Sequence, residues 1–128
     1  MNAAPQPIGR ISIVSAQQAA ELHAEGDGAV IVDVREPHEF VSLRVPGAVS
    51  LPLAEFVARQ ADLPRDRQLL LVCRSGSRSL RATMYLMQQG FSNVANVDGG
   101  MIAWKNAGLP VRSGPTEPGE GELPPAPR

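Results

Sequence analysis

The chain has 128 residues, of which 43% are hydrophobic and 20% charged, and this composition predicts one soluble globular domain. Twelve basic and 13 acidic side chains give a formal net charge of −1, so we expect neither nucleic acid nor a membrane surface as a partner. The N-terminus lacks the pattern of a secretory signal, and a lone cysteine, Cys73, excludes an internal disulfide. These features predict a reducing, cytoplasmic location.

Both ends of the chain look different from its middle. Residues 1–10 show little periodicity and are predicted to form a loose arm. Residues 113–128 contain five prolines and three glycines, so we predict a disordered tail whose removal barely changes stability. The folded domain is therefore predicted over residues 11–112.

Strands and helices alternate along the predicted domain. The pattern begins with a strand at 11–14 and a helix from Ser15, where Ser15 and Gln18 have the spacing of a capping box and Gly26 is the expected stop. The later elements, in chain order, are a strand at 30–34, a helical turn at 36–40, a strand at 48–51, a helix at 53–60, a strand at 69–72, a helix at 79–89, a strand at 94–97 and a short helix around 101–104. This order predicts an α/β domain with a mostly parallel sheet.

Two of the predicted helices carry an apolar stripe. Leu53, Phe56 and Val57 have helical spacing, and we expect them to face the core. Leu80, Met84 and Met87 are predicted to form the buried face of the longer helix, and Met101 and Trp104 to be core residues of the last one.

The segment around Cys73 carries the clearest chemical signal. It follows an apolar strand and precedes a helix, the place where ligands bind in open parallel sheets. A helix N-terminus and nearby cations lower the pKa of a thiol, and convergent amides bind an anion. Gly76 allows the turn the positive φ that it needs. The predicted anion-binding residues are Arg74, Ser75, Gly76, Ser77 and Arg78. A buried structural cysteine with an ordinary Ser/Gly turn is the alternative.

Four segments in order resemble the rhodanese family. The loop Cys-Arg-Ser-Gly-Ser-Arg at 73–78 is similar to the active-site loop of single-domain rhodaneses. Residues 32–40, 45–48 and 97–104 resemble the family's N-terminal signature, its Ile-Pro-Gly-Ala segment and its C-terminal signature. The resemblance covers almost the whole predicted domain.

This resemblance implies a rhodanese-like fold, with a five-stranded, mostly parallel sheet flanked by helices on both faces. It also implies a sulfurtransferase in which Cys73 attacks the sulfane sulfur of a donor such as thiosulfate and holds it as a persulfide until a thiophilic acceptor, such as cyanide or a partner protein, takes it. Arg74 would contact the donor anion, and Arg78 would either do so or bind loop carbonyls. No cofactor is implied, and we expect a monomer or a weak dimer.

One segment departs from the family pattern. The family usually has Gly-His-Ile before Pro-Gly-Ala, whereas this chain has Leu43-Arg44-Val45. We interpret the change as drift in a loop near the active site that leaves catalysis intact, and we expect the Leu43-Arg44 departure to bear on substrate preference.

The remaining polar residues of note are interpreted as structural or as surface residues. Asp33 and Arg35 end a buried strand, and we favour a structural salt bridge over a role in pinning the catalytic loop. His23 and His38 are expected on the surface, and because neither has a cysteine or second histidine nearby in sequence, we predict no metal site. Asp98-Gly99-Gly100 is interpreted as a turn.

Three other functions remain to be separated from sulfur transfer. The spacing from Cys73 to Arg78 is one residue shorter than the Cys-x5-Arg loop of cysteine phosphatases, and a shorter loop favours sulfur over a phosphate ester. A non-catalytic sulfur relay or sensor that works with a partner protein is the second rival. A thiol–disulfide oxidoreductase is disfavoured because the chain has no second cysteine to resolve a mixed disulfide.

Overall fold

A five-stranded parallel sheet forms the centre of the computed structural model, which describes residues 12–25 and 28–123. Its strands are β1 (Ile13–Val14), β2 (Val30–Asp33), β3 (Val49–Ser50), β4 (Leu69–Val72) and β5 (Val94–Val97). They lie in the order β1-β5-β4-β2-β3, and every pairing is parallel. The predicted fold class is confirmed. Because β4 is the central strand, Cys73 lies at the middle of the sheet's carboxyl edge.

Helices cover both faces of the sheet. They are α1 (Ala16–Ala24), α2 (Pro37–Ser42), α3 (Leu53–Arg59), α4 (Ser77–Gln88) and α5 (Gly100–Asn106), with a 3₁₀ turn at Gln60–Asp62. On one face Phe56 and Leu86 pack against the strands, and on the other Met101 and Trp104 do so. The sheet is therefore buried on both sides, as the runs of apolar residues in β2 and β4 predict.

The start of α1 agrees with the sequence pattern. The Ser15 Oγ accepts a hydrogen bond from the Gln18 amide at 3.0 Å, and the Gln18 Oε1 accepts one from the Ser15 amide at 2.9 Å. The predicted capping box is confirmed. Residues 1–11 and Gly26, on which the predicted arm, the first residue of the first strand and the helix stop depend, lie outside the described residues.

The buried faces of α3 and α4 differ from the predicted stripes. In α3 only Phe56 is buried, whereas the side chain of Val57 is 67% exposed. The α4 helix begins at Ser77, earlier than predicted, because Gly76 caps it in the left-handed region with φ +112°. Leu80, Met84 and Met87, the predicted stripe, are only half-buried, although Met87 packs against the core. The face that is buried instead consists of Ser79, Ala82, Thr83 and Leu86.

The C-terminal segment packs against the domain through residue 123, which differs from the disordered tail predicted for 113–128. The Ser50 amide donates to the Gly121 carbonyl at 2.7 Å, which places the segment beside the edge strand β3. The buried guanidinium of Arg44 donates to Glu120 at 2.6 Å and to the Gly114 carbonyl at 2.7 Å. Composition gave no sign of this buried cation, whose hydrogen bonds hold the segment in place. Residues 124–128 lie outside the described part of the chain.

Candidate active site

The thiol of Cys73 lies at the end of β4 and faces the first turn of α4. The residue is 1% exposed. The Gly76 amide donates to Sγ at 3.1 Å, and the Ser79 Oγ lies 3.3 Å from the same sulfur. The strand-to-helix turn that the sequence predicts therefore does direct polar groups at the thiol.

Two opposing effects set the acidity of this thiol. Burial by itself raises the pKa of Cys73, because a thiolate loses its hydration. Hydrogen bonds from the Ser79 hydroxyl and from the amides of Ser79, Gly76 and Ser75 outweigh the burial and hold the pKa below its ordinary value. The site therefore favours a thiolate, the form in which cysteine is a nucleophile.

The start of α5 supports the Cys73 loop from behind. The Met101 amide donates to the Cys73 carbonyl at 2.8 Å, and the Ile102 amide donates to the Arg74 carbonyl at 3.0 Å. This approach requires a glycine at position 100, because a Cβ there would lie 2.7 Å from the Arg74 carbonyl oxygen and closer still to that of Cys73. The sequence interpretation treated Gly100 as part of a turn and missed this contact. The pair Gly99-Gly100 after the last predicted strand was the one sequence signal, and it does not show which segment the chain approaches.

The two arginines of the loop have different surroundings. Arg78 forms a bidentate ion pair with Glu39 of α2, with nitrogen–oxygen distances of 2.9 and 3.1 Å. The side chain thus ties α4 to α2, a contact that neither of the two roles considered for Arg78 from the sequence includes. Hydrogen bonding to Arg78 is the main reason why the pKa of Glu39 falls from 4.5 to about 2. Arg74 is exposed, as are Ser75 and Ser77.

Asp33 and Arg35 form a buried ion pair with an Nη2–Oδ2 distance of 2.8 Å. The Arg35 Nη2 also donates to the Leu43 carbonyl at 2.5 Å. The pair thus fixes the chain that follows α2 relative to the end of β2, which agrees with the structural role that the sequence favoured.

A cavity of about 280 Å³ opens beside the loop. Arg74 and Lys105 bring cationic groups to it, while Ile102 adds an exposed apolar side chain. Cys73 is not among its lining residues, so a donor held here would have to reach the sulfur across the loop. The other residues that line the cavity are Arg35, His38, Glu39, Ser42, Leu43 and Met101.

Arg44 takes no part in this cavity. Leu43 lines it, but the guanidinium of Arg44 is buried against the C-terminal segment. The expectation that Arg44 influences substrate preference through a loop near the active site is therefore not supported by its position. Its contacts give it a structural role in holding residues 113–123.

The histidines lie away from Cys73. His38 is exposed at the start of α2, as predicted. His23 is half-buried, contrary to prediction, and its ring nitrogens lie 2.9 and 3.0 Å from the carbonyl oxygens of Ala29 and Pro46. Within residues 12–25 and 28–123, no cluster of three or more His, Cys, Asp or Glu side chains is arranged to hold a metal ion. Nor does any helix in these ranges have the length and apolar character needed to cross a bilayer.

Two polar residues near the thiol were not singled out from the sequence. Ser79 lies on the buried face of α4, and its Oγ is 2.5 Å from the Oδ1 of Asn96, a buried residue of β5. Larger apolar residues with helical spacing dominate the hydrophobic pattern of α4, so this pattern does not predict that Ser79 is buried. Only an asparagine inside an otherwise apolar strand signalled a buried polar contact at position 96.

Comparisons with known proteins agree with this fold. A family model described as "Rhodanese-like domain" matches residues 15–107. The chain is 37% identical over 101 residues to a protein named "Sulfurtransferase" from Allochromatium vinosum, covering 79% of this chain and 94% of that protein. It is 43% identical over 96 residues to "Thiosulfate sulfurtransferase GlpE" from Pseudomonas entomophila, covering 73% and 84%. A solved rhodanese-related protein from Thermoplasma volcanium has a TM-score of 0.73 at 29% identity, covering 79% and 97%.

Proposed function

Because the chain belongs to the rhodanese-like domain family, we propose that it is a sulfurtransferase in which Cys73 is the nucleophile. We further propose that it takes sulfane sulfur from thiosulfate or a similar anionic donor and passes it to a thiophilic acceptor. The observation that carries this proposal is the buried Cys73 thiol, whose pKa is lowered by hydrogen bonds from the first turn of α4. The relatives named as sulfurtransferases support the same reaction class.

The proposed reaction has two steps with one covalent intermediate. The Cys73 thiolate attacks the outer sulfur of thiosulfate, a sulfur–sulfur bond forms, and the bond to the sulfonate breaks as sulfite leaves with its electron pair. Cyanide then attacks the terminal sulfur of the persulfide, and thiocyanate leaves as Cys73 returns to a thiolate. Covalent catalysis of this kind gives ping-pong kinetics.

The surrounding groups suit an anionic donor. Arg74 and Lys105 place positive charge at the cavity beside the loop, whereas the charges of Arg35 and Arg78 are already paired with carboxylates. We therefore propose Arg74 as the side chain that contacts the sulfonate, with Lys105 in support. The exposed serines 75 and 77 leave room for the donor at the loop.

The intact mass of the protein tests this proposal directly. Treatment with thiosulfate should add one sulfur atom, and cyanide should remove it. Because the chain has a single cysteine, the added sulfur can be placed at Cys73 without mapping. Cys73→Ser, which preserves the size of the side chain, should add no sulfur and should unfold at the same temperature as the wild type.

Two other outcomes would change the assignment. Hydrolysis of p-nitrophenyl phosphate with no sulfur added from thiosulfate would contradict sulfur transfer and indicate a phosphatase. A persulfide that forms but is not released to cyanide or to small thiols would indicate a relay to a protein acceptor instead of a free-standing enzyme.

A further inference from the structure

The Ser79 hydroxyl is surrounded by more hydrogen-bond acceptors than it can donate to at one time. Its oxygen lies 2.5 Å from the Asn96 Oδ1, 3.3 Å from the Cys73 Sγ and 3.3 Å from the Gly76 carbonyl oxygen. A hydroxyl has only one proton to donate. The three acceptors therefore compete for that proton, and Asn96 is the nearest of them by a wide margin.

The orientation of the Asn96 amide follows from its other neighbour. Its Nδ2 lies 3.4 Å from the Gly76 carbonyl oxygen, which can only accept a hydrogen bond. The Oδ1 therefore faces Ser79 and acts as an acceptor. Ser79 and Asn96 are 0% and 4% exposed, so bulk water is not available to replace a lost hydrogen bond.

We propose that Asn96 is a positioning residue that controls the ionisation of Cys73 by competing for the Ser79 proton. In the thiol form, Ser79 donates to Asn96, and its oxygen can accept the S–H of Cys73. When the thiol loses its proton, the Ser79 hydroxyl must turn from Asn96 to Sγ in order to stabilise the thiolate. That turn leaves the buried Oδ1 of Asn96 without its hydrogen bond, so Asn96 opposes formation of the thiolate.

The same competition has a consequence after sulfur transfer. In the persulfide the negative charge resides on the terminal sulfur, and Sγ becomes a weaker acceptor. The Ser79 hydroxyl can then return to Asn96. By this argument Asn96 favours the sulfur-loaded protein over the free thiolate. This step rests on the proposed function, whereas the effect on thiol ionisation requires no donor.

The pKa of Cys73, measured without any donor, tests the proposal. Thiolate absorbance in the ultraviolet, titrated against pH with Cys73→Ser as the blank, reports only this group. Asn96→Leu should lower the pKa by about 1, the size expected for one hydrogen bond of ordinary net strength. Ser79→Ala should raise it, and Ser79→Thr, which keeps the hydroxyl, should restore it. Asn93→Leu, at an exposed position just before β5, is the control and should leave the pKa unchanged.

The double variant separates competition from a general structural effect. In a Ser79→Ala background, Asn96→Leu should no longer lower the pKa, because no proton remains to be released. Equal lowering in both backgrounds, or no lowering in the Asn96→Leu protein, would overturn the proposal. If Asn96→Leu does not melt cooperatively, Asn96→Ala is measured by the same criteria.

The charged groups at this edge of the sheet are the same in all of these variants, so a change in pKa cannot come from them. They are Arg74 and Arg78 on the loop and α4, Asp33 and Arg35 at the end of β2 and just after it, Glu39 on α2, Asp98 after β5 and Lys105 on α5.

The test of Asn96 is independent of the proposed function. If thiosulfate adds no sulfur but the predicted pKa shifts are observed, the proposed function is contradicted and the role of Asn96 is retained.

Discussion

The Met101 amide donates a hydrogen bond to the Cys73 carbonyl over 2.8 Å, so the first turn of α5 holds the residue that carries the thiol. Gly100 makes this approach possible, because a side chain at that position would overlap two carbonyl groups of the loop. The Cys73 loop is therefore positioned by a helix that is remote in sequence and adjacent in space.

Gly100→Ala should displace the Cys73 loop and strongly reduce sulfur transfer. We expect it to destabilise the protein by about 2–4 kcal/mol, since backbone overlap adds to the cost of a left-handed φ. Gly108→Ala is the matched control, because Gly108 also has a positive φ, +73°, but nothing within 4 Å of its added Cβ. Chemical denaturation and turnover of both variants check the prediction, and equal losses would show that the φ angle alone matters.

The ion pair between Arg78 and Glu39 should make stability depend on pH. The pKa of Glu39 in the folded protein is lowered to about 2 from its ordinary 4.5, chiefly through its hydrogen bonds to Arg78. The stabilisation is therefore fully present above about pH 4.5 and disappears as the pH falls towards 2. Because the pair is partly exposed, we expect on the order of 1 kcal/mol.

Denaturant unfolding of the wild type and Glu39→Gln between neutral and acid pH measures this contribution. The free energies of unfolding of the two proteins should differ at neutral pH and converge in acid. Glu55→Gln removes an exposed carboxylate 3.4 Å from Arg59 and is the control, expected to cost less than about 0.5 kcal/mol. A difference for Glu39→Gln that persists at low pH would contradict the role of its charge.

Arg74→Gln should weaken the use of an anionic donor. The side chain is exposed and lines the cavity beside the loop, so its loss should leave the fold unchanged. We expect KM for thiosulfate to rise about tenfold, the effect of losing roughly 1.4 kcal/mol of binding. Steady-state kinetics with an uncharged donor, such as an organic trisulfide, should show little change. Arg59→Gln, on α3 and outside this cavity, is the charge-matched control.

The sequence predicted the features that depend on local pattern. The positions of β2, β4 and β5, the capping box at Ser15 and the glycine turn after Cys73 all follow from short-range rules. Contacts between remote segments were not predictable in this way. Nothing in the composition of 113–123 shows that Arg44 is buried beneath it, and the approach of Gly100 to Cys73 depends on the order of strands in the sheet.

Helix faces were the other source of error. The α4 helix buries Ser79, whose Oγ lies 3.3 Å from the Cys73 Sγ, and Thr83, whose hydroxyl donates to the Ser79 carbonyl. Hydrophobic periodicity ranks Leu80, Met84 and Met87 above them, and these residues flank the buried face, with Met87 packed against the core. Burial of polar side chains in place of apolar ones on a core-facing helix is itself a sign of a functional site, because a buried polar side chain needs a hydrogen-bond partner.

Truncation after Arg112 should destabilise the protein, contrary to the expectation from composition. It removes Glu120, both of whose carboxylate oxygens accept hydrogen bonds from Arg44, and it removes the Gly121 carbonyl that pairs with Ser50 on the edge strand. We expect the melting temperature to fall by about 4 °C or more. Truncation after Leu123 removes only 124–128 and is the control, expected to melt like the full chain.

The chemistry of Glu120 adds an independent check on the same segment. Hydrogen bonds from Arg44 are the main reason why the pKa of Glu120 is lowered from 4.5 to about 2. Its contribution to stability should therefore be present above about pH 4.5 and decline below it, so the two truncated proteins should differ less in acid than at neutral pH. Identical melting of both truncations at neutral pH would show that residues 113–123 contribute nothing to stability, whatever contacts they make.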